Sequence, residues 1–251
     1  LDQPTLEEQQ RANVEVGAEL TRLIRELEPE GVTVSVGGEI GEVGGKNSTV
    51  EELRVYMDGL EQTLGELTSI SKISVQTGTS HGGVPMADGS VAEVALDFDV
   101  LEQCTKVGQD EYGIAGAVQH GASTLPNEAF NRFATCNAAE VHLATGFQNQ
   151  LYDGGILPDD LKGRMYAWID ENLADERKDG QTDEQFHYKT RKKAFGAFKR
   201  EWWDLPAETR DAMCGQLQDQ FEFLFEQLGM KDTAGKTNEL LQPVVVNVPA
   251  P

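Results

Sequence analysis

The eight residues Gly116-Ala117-Val118-Gln119-His120-Gly121-Ala122-Ser123 read as a short apolar strand that stops in a polar turn. Ala117 and Val118 are candidates for burial, and His120 stands at the strand's C-terminal end. Gly121 lets backbone N–H groups approach a ligand closely, and the Ser123 hydroxyl adds a donor suited to a phosphate. An imidazole beside an anion cradle is a catalytic signature if the strand lies in a barrel whose active face is at the C-terminal strand ends. The stretch Val75-Gln76-Thr77-Gly78-Thr79-Ser80-His81-Gly82-Gly83 repeats the plan: strand, then His81, then glycine.

Outward from these two, Val32–Val36 is β-branched and runs into Gly37-Gly38-Glu39-Ile40-Gly41, which puts Glu39 at another strand end. Ala139–Ala144 reads as a fourth strand, carrying His142 and ending in Thr145-Gly146. Helical periodicity predicts helices over 5–28, with Thr5 as N-cap, and over 49–67, 97–109 and 126–135. A short hairpin is expected around Asp88-Gly89. Strand and helix alternating at this spacing mean βαβ units and a parallel sheet. Four such strands are half of an eight-stranded (β/α)8 barrel, a TIM barrel. From Asp159 the texture changes to helices at Met165–Leu173, Thr182–Trp203 and Ala207–Leu228. The expected division is 1–158 as the half-barrel, 159–231 as a helical extension completing the barrel and a subunit interface, and 232–251 as an extended arm.

The 251 residues suffice for one large domain with a normal core. With 43 acidic against 21 basic residues the formal charge is -22, a field that repels nucleic acid and anionic lipid. No stretch has the ~20 apolar residues of a membrane span. Cys104, Cys136 and Cys214 are odd in number and widely spaced, which argues for reduced thiols and a cytoplasmic home. The chain opens on Leu1 rather than Met, so it is read as processed or as a piece of something longer.

The motifs resemble, in order, those of the C-terminal half of the class II, zinc-dependent fructose-bisphosphate aldolases. Gly38–Gly45 looks like that family's GELG-x-x-GG loop, Gly78–Gly82 like its GTSHG motif, and Leu96–Leu101 like LDF-x-x-L. His120–Ser123 with Leu125-Pro126 is similar to HGGSG-x-P, Val141–Thr145 to INVAT, and Tyr188–Arg191 to Y-D-P-R. The resemblance runs from Asp2 to about Leu228. It implies a barrel that cleaves a ketose bisphosphate, fructose 1,6-bisphosphate first among them, to dihydroxyacetone phosphate and glyceraldehyde 3-phosphate. It implies one zinc per site held by His81 and His120, with Glu39 as an orienting partner or alternate ligand, and it admits a monovalent cation. Ser123 and Thr145, with N–H groups at Gly82, Gly121, Ala122 and Ala144, then hold one substrate phosphate. Arg191 would reach the far phosphate of a partner subunit's substrate, in a dimer or tetramer.

Departures accompany the resemblance. The family's third metal His and its hydroxyl-proton Asp precede these residues, so 1–251 is expected to need the other barrel half from upstream or from a second chain. The family's loop acid is here Lys46-Asn47, its strand Asn is His142, and a Lys found in some members is Pro85. His142 is therefore the catalytic candidate, and Glu42 ranks first, ahead of Glu51 and Glu52, as a substitute acid. His187, on a charged helix, reads as a surface residue. Tagatose-bisphosphate or another ketose-phosphate aldolase, and a non-catalytic metal-binding paralogue, are the competing readings.

Overall fold

The computed structural model describes residues 5–41, 45–79, 85–86, 92, 96–241 and 243–245. Helix α1 (Leu6–Leu27) begins at Thr5, whose hydroxyl accepts the Glu8 amide. It packs through Val14, Ala18 and Thr21 onto α2 (Val50–Leu64). A reciprocal capping box opens α2: Thr49 accepts from the Glu52 amide, and the Glu52 carboxylate accepts from the Thr49 amide. Strands β1 (Gly37–Glu39), β2 (Lys72–Val75), β3 (Ala117–Gln119) and β4 (Glu140–Val141) form one parallel sheet in that order. Helix α3 (Phe98–Tyr112) connects β2 to β3, and α4 (Asn131–Thr135) precedes β4. The architecture is thus α/β with a four-stranded parallel sheet, as the strand–helix alternation predicts.

The core under the sheet joins Ile73, Val75 and Ala117 to Leu53, Met57 and Leu60 of α2 and Leu101 and Cys104 of α3. A second apolar cluster lies among α5 (Thr145–Asp153), α6 (Asp159–Asn172), α7 (Asp183–Thr190), α8 (Ala194–Ala197), α9 (Lys199–Trp203) and α10 (Ala207–Gln227). Met165, Ile169, Phe186 and Ala194 are nearly fully buried in it. The three cysteines are free thiols. Among the described residues no helix is long and apolar enough to cross a membrane.

Several elements differ from the sequence reading. Val32–Val36 is not a strand; pairing starts only at Gly37. Side chains from the end of α1 take the place of a ladder. Arg25 donates to the carbonyls of Val34, Thr68 and Ser69 at 2.9, 2.9 and 3.0 Å, and Glu28 accepts the Val34 amide at 2.9 Å. The helix expected over 182–203 is three helices and a 3-10 turn, because the Thr190 hydroxyl bonds back to the Phe186 carbonyl and Arg191 turns inward. β4 is shorter than Ala139–Ala144, α5 was not foreseen, and the tail contains α11 (Ala234–Leu240). The hairpin expected at Asp88-Gly89 lies outside the described residues.

Candidate functional site

Side chains alternate along a strand, so the register puts Glu39, Lys72, Ser74, Val118 and Glu140 on one face, away from the core helices. His120 and His142 continue that face just past β3 and β4. His120 Nε2 lies 3.1 Å from Ser74 Oγ, and its ring stacks on His142 with centroids 4.5 Å apart and planes 25° from parallel. His142 Nε2 lies 2.8 Å from Glu140 Oε2, whose other oxygen pairs with Lys72. Burial raises the Glu140 carboxyl, but hydrogen bonds from Lys72 and His142 outweigh it and hold the group below the ordinary carboxylate range. Glu39 is exposed at the end of β1, where its carbonyl accepts from Asn13 at 2.8 Å.

Beneath His120 runs a buried polar network that the sequence reading missed. Thr77 donates to Gln119 Oε1 at 2.7 Å, and Gln119 Nε2 donates to the His120 carbonyl at 2.6 Å. The Thr79 hydroxyl lies 2.9 Å from the same carbonyl, while Gln76 Nε2 donates to the Thr79 carbonyl at 3.0 Å. Gln76, Thr77, Thr79 and Gln119 are all 0–1 % exposed. These bonds fix the backbone where β2 and β3 emerge side by side. Gly41 is required nearby: a β-carbon there would fall 2.5 Å from the Gln76 amide nitrogen.

Gly121 turns the chain after β3 with φ +71°, a left-handed conformation open to glycine. Ala122 is buried behind it. Ser123 Oγ accepts the Ala144 amide at 2.8 Å, which joins the β3 turn to the start of α5 at Thr145. The Ala144 amide, one of the expected phosphate donors, is therefore already bonded. Thr145 opens a nine-residue helix whose N-terminal end lies over the Ser123 turn.

On the other flank, a cavity of about 550 Å³ lies between α1 and the 45–48 segment, lined by Asn13, Glu39, Gly41, Lys46, Ser48 and Glu52. Glu52 is committed to structure: one oxygen receives Lys46 at 2.6 Å and the other the Thr49 amide at 2.9 Å. Asn47 donates to Asp97 at 3.2 Å. Glu51 stands exposed in the first turn of α2. Glu42, His81 and Gly82 lie outside the described residues.

Arg191 is not at the strand ends. It is 5 % exposed in the second cluster, bonded to both Asp153 oxygens at 3.0 and 2.7 Å and to Asn149 at 2.7 Å. The fork that a phosphate would occupy holds a carboxylate of its own chain. His187 is half-buried rather than fully exposed: its ring stacks on Tyr166 at 4.3 Å and its Nε2 lies 2.8 Å from Asp170.

Among the described residues no three His, Cys, Asp or Glu side chains gather as a metal-holding group. His120 and His142 stack face to face, so their in-plane lone pairs run side by side rather than converge. By donor type, an imidazole from each of two adjacent strand exits suits zinc, and His81 follows the Thr79 that bonds His120 by two positions.

Residues 6–203 match the family described as fructose-bisphosphate aldolase class-II. No curated protein sequence matches the chain. A protein assigned as a tagatose 6 phosphate kinase from Sinorhizobium meliloti 1021 is similar in fold, with 17% identity and a TM-score of 0.51 over 90% of this chain and 62% of that one. A protein assigned as a fructose-1,6-biphosphate aldolase from Coccidioides immitis aligns at 17% identity and a TM-score of 0.39, over 76% of this chain and 58% of that one. The chain spans about six-tenths of the length of these two structures.

Proposed function

This chain belongs to the class-II fructose-bisphosphate aldolase family, and on that footing we propose that it carries part of the active site of a metal-dependent aldolase. The substrate proposed is a ketose 1,6-bisphosphate, with fructose 1,6-bisphosphate ahead of its tagatose epimer. The products are dihydroxyacetone phosphate and glyceraldehyde 3-phosphate. One observation carries the reading: His120 and His142 meet at the C-terminal ends of neighbouring parallel strands, on the sheet face turned away from the core helices. We read the four strands as half of an eight-stranded barrel. In support, one edge each of β1 and β4 is unpaired among the described residues, and the face away from the core helices carries Glu39, Lys72, Ser74 and Glu140 beside Val118.

His81 and His120 would hold the zinc, with Glu39 beside them. The ion would supply Lewis-acid stabilisation of the oxyanion that forms when the carbon–carbon bond breaks. His142, in place of the family's Asn, contacts that oxyanion or moves its proton. Ser123 and Thr145, with backbone amides at Gly82, Gly121 and Ala122, hold a phosphate against the start of α5. Arg191 is left out of this set because Asp153 and Asn149 already occupy its guanidinium.

The test uses the full-length purified protein, measuring metal content and cleavage of both ketose bisphosphates before and after chelation. The expected result is about one zinc per site, with activity lost to the chelator and restored by Zn²⁺ or Co²⁺. Undiminished turnover after exhaustive chelation, with borohydride trapping a Schiff base, would overturn the proposal. The non-catalytic reading draws on one observation, that the loop bears Asn47 bonded to Asp97 while Glu52 is tied into a cap. Metal binding with no turnover of either epimer would favour it.

A further inference from the structure

Lys72, Glu140 and His142 form a line across the sheet. Lys72 stands on β2 and Glu140 on β4, and their ion pair crosses over β3, where Val118 is in register with both Ser74 and Glu140. Glu140 and His142 are two residues apart on one strand exit, so both side chains leave the same face. The His142 ring is held three ways: by Glu140 at 2.8 Å, by stacking on His120, and through its own backbone amide, which donates to the Gln119 carbonyl at 2.8 Å.

A neutral imidazole has one N–H and one lone pair, and an ionised carboxylate can only accept. A carboxylate against Nε2 therefore fixes the proton on Nε2 and leaves the lone pair on Nδ1. We propose that Glu140 is a positioning residue: held by Lys72, it accepts the Nε2–H of His142 and keeps Nδ1 as the ring's proton acceptor. A purely structural role would leave the tautomer of His142 indifferent to Glu140, which is what the measurement below separates. The aldolase reading enters only where the consequence for turnover is drawn: with Nδ1 presented, His142 can accept a proton from the substrate, which the amide of the family's Asn cannot do.

The decisive measurement is the ¹⁵N spectrum of the four histidines in the full-length protein at mildly alkaline pH, where free imidazole is neutral. His142 in the unsubstituted protein is expected as the Nε2–H tautomer. In Glu140→Gln, whose amide can accept from or donate to the ring, it is expected to become a mixture. His187, whose ring packs against Tyr166 and Phe186 of the second apolar cluster, is the internal control for folding. A native His187 signal with an unchanged His142 tautomer in Glu140→Gln would overturn the proposal. So would an Nδ1–H tautomer in the unsubstituted protein, a result that stands even if the variant fails to fold.

In turnover, Glu140→Gln should lower kcat by about 10- to 100-fold with KM nearly unchanged, taking as the guide the losses seen when a partner that orients a metal-bound histidine is removed. In a His142→Ala background the same change should cost nothing further, because Glu140 acts through the ring. Independent, multiplying losses would refute that coupling. If no ketose bisphosphate is cleaved by the unsubstituted protein, the aldolase reading fails while the tautomer still decides the positioning.

Discussion

On the helix side of the sheet, Ile73, Val75 and Ala117 are 0–3 % exposed and pack against α2 and α3. On the other side of the same strands, Lys72, Ser74, His120, Glu140 and His142 contact one another through hydrogen bonds, an ion pair and a stacked ring pair. Adjacent positions along one strand thus face opposite environments. Removing apolar surface from water dominates stability, while partly exposed polar groups contribute little to it and are available for chemistry. The difference teaches that stability and function in this sheet are separable residue by residue, with a period of two.

The sharpest way to break that comparison is His142→Ala. If the polar face carries the chemistry, kcat should fall by about 10²–10⁴-fold, the usual worth of a positioned acid or base, with the thermal midpoint almost unmoved. A loss of fold as large as the loss of rate would show that the two faces are not separable. The converse is Ile73→Ala on the neighbouring position. Urea unfolding should register a loss of about 2–5 kcal/mol, as for other buried aliphatic truncations, while metal content per folded molecule stays constant.

A smaller effect tests whether the flank of the site is structural. Thr49→Ala removes half of the capping box and should cost about 1 kcal/mol, read by the same urea titration. A large drop in kcat instead would mean that Glu52, freed from its cap, had been serving the chemistry. The smallest effect concerns the second cluster. Burial raises the Asp153 carboxyl, yet bonds from Arg191 and Lys162 outweigh it and hold the group low. A depressed folded-state pKa stabilises the fold above the unfolded value of about 3.9. That contribution disappears as pH falls through the folded-state value. Asp153→Asn should therefore lower the thermal midpoint at neutral pH and cease to matter in strong acid. A difference independent of pH would assign the loss to packing.

How much of this was legible in the sequence depended on how local each cause is. The β3 exit could be read because Ala117 and Val118 precede a histidine and a glycine with no competing signal. The four-stranded parallel order followed from the spacing of such exits. Val32–Val36 misled because its β-branched run satisfies strand propensity, while the groups that claim its backbone, Arg25 and Glu28, sit on the preceding helix. Helix α5 was hidden because Phe147, Leu151 and Tyr152 are interleaved with glycine, asparagine and glutamines. Glu140 did carry a signal, since a charge two places before His142 must share its face. Its partner Lys72, however, is 68 residues away and only the sheet brings it near. Arg191 lay in a basic run whose likeness to Y-D-P-R implied the far phosphate of a partner subunit's substrate, and nothing local announces that Asp153 turns it inward.

The Arg25 contacts also bear on the order in which the chain acquires structure. Arg25 and Glu28 stand at the last turn of α1, so the backbone positions that hold Val34 exist only once that turn is wound. The approach to β1 is then a dependent of the helix rather than of the sheet. Hydrogen exchange would show this directly: protection at the Val34 amide should be lost together with the C-terminal turn of α1, ahead of the amides that bind β1 to β2. The first sheet edge of the chain is in this sense put in place by a helix, and its assembly is local in sequence even though the sheet it joins is not.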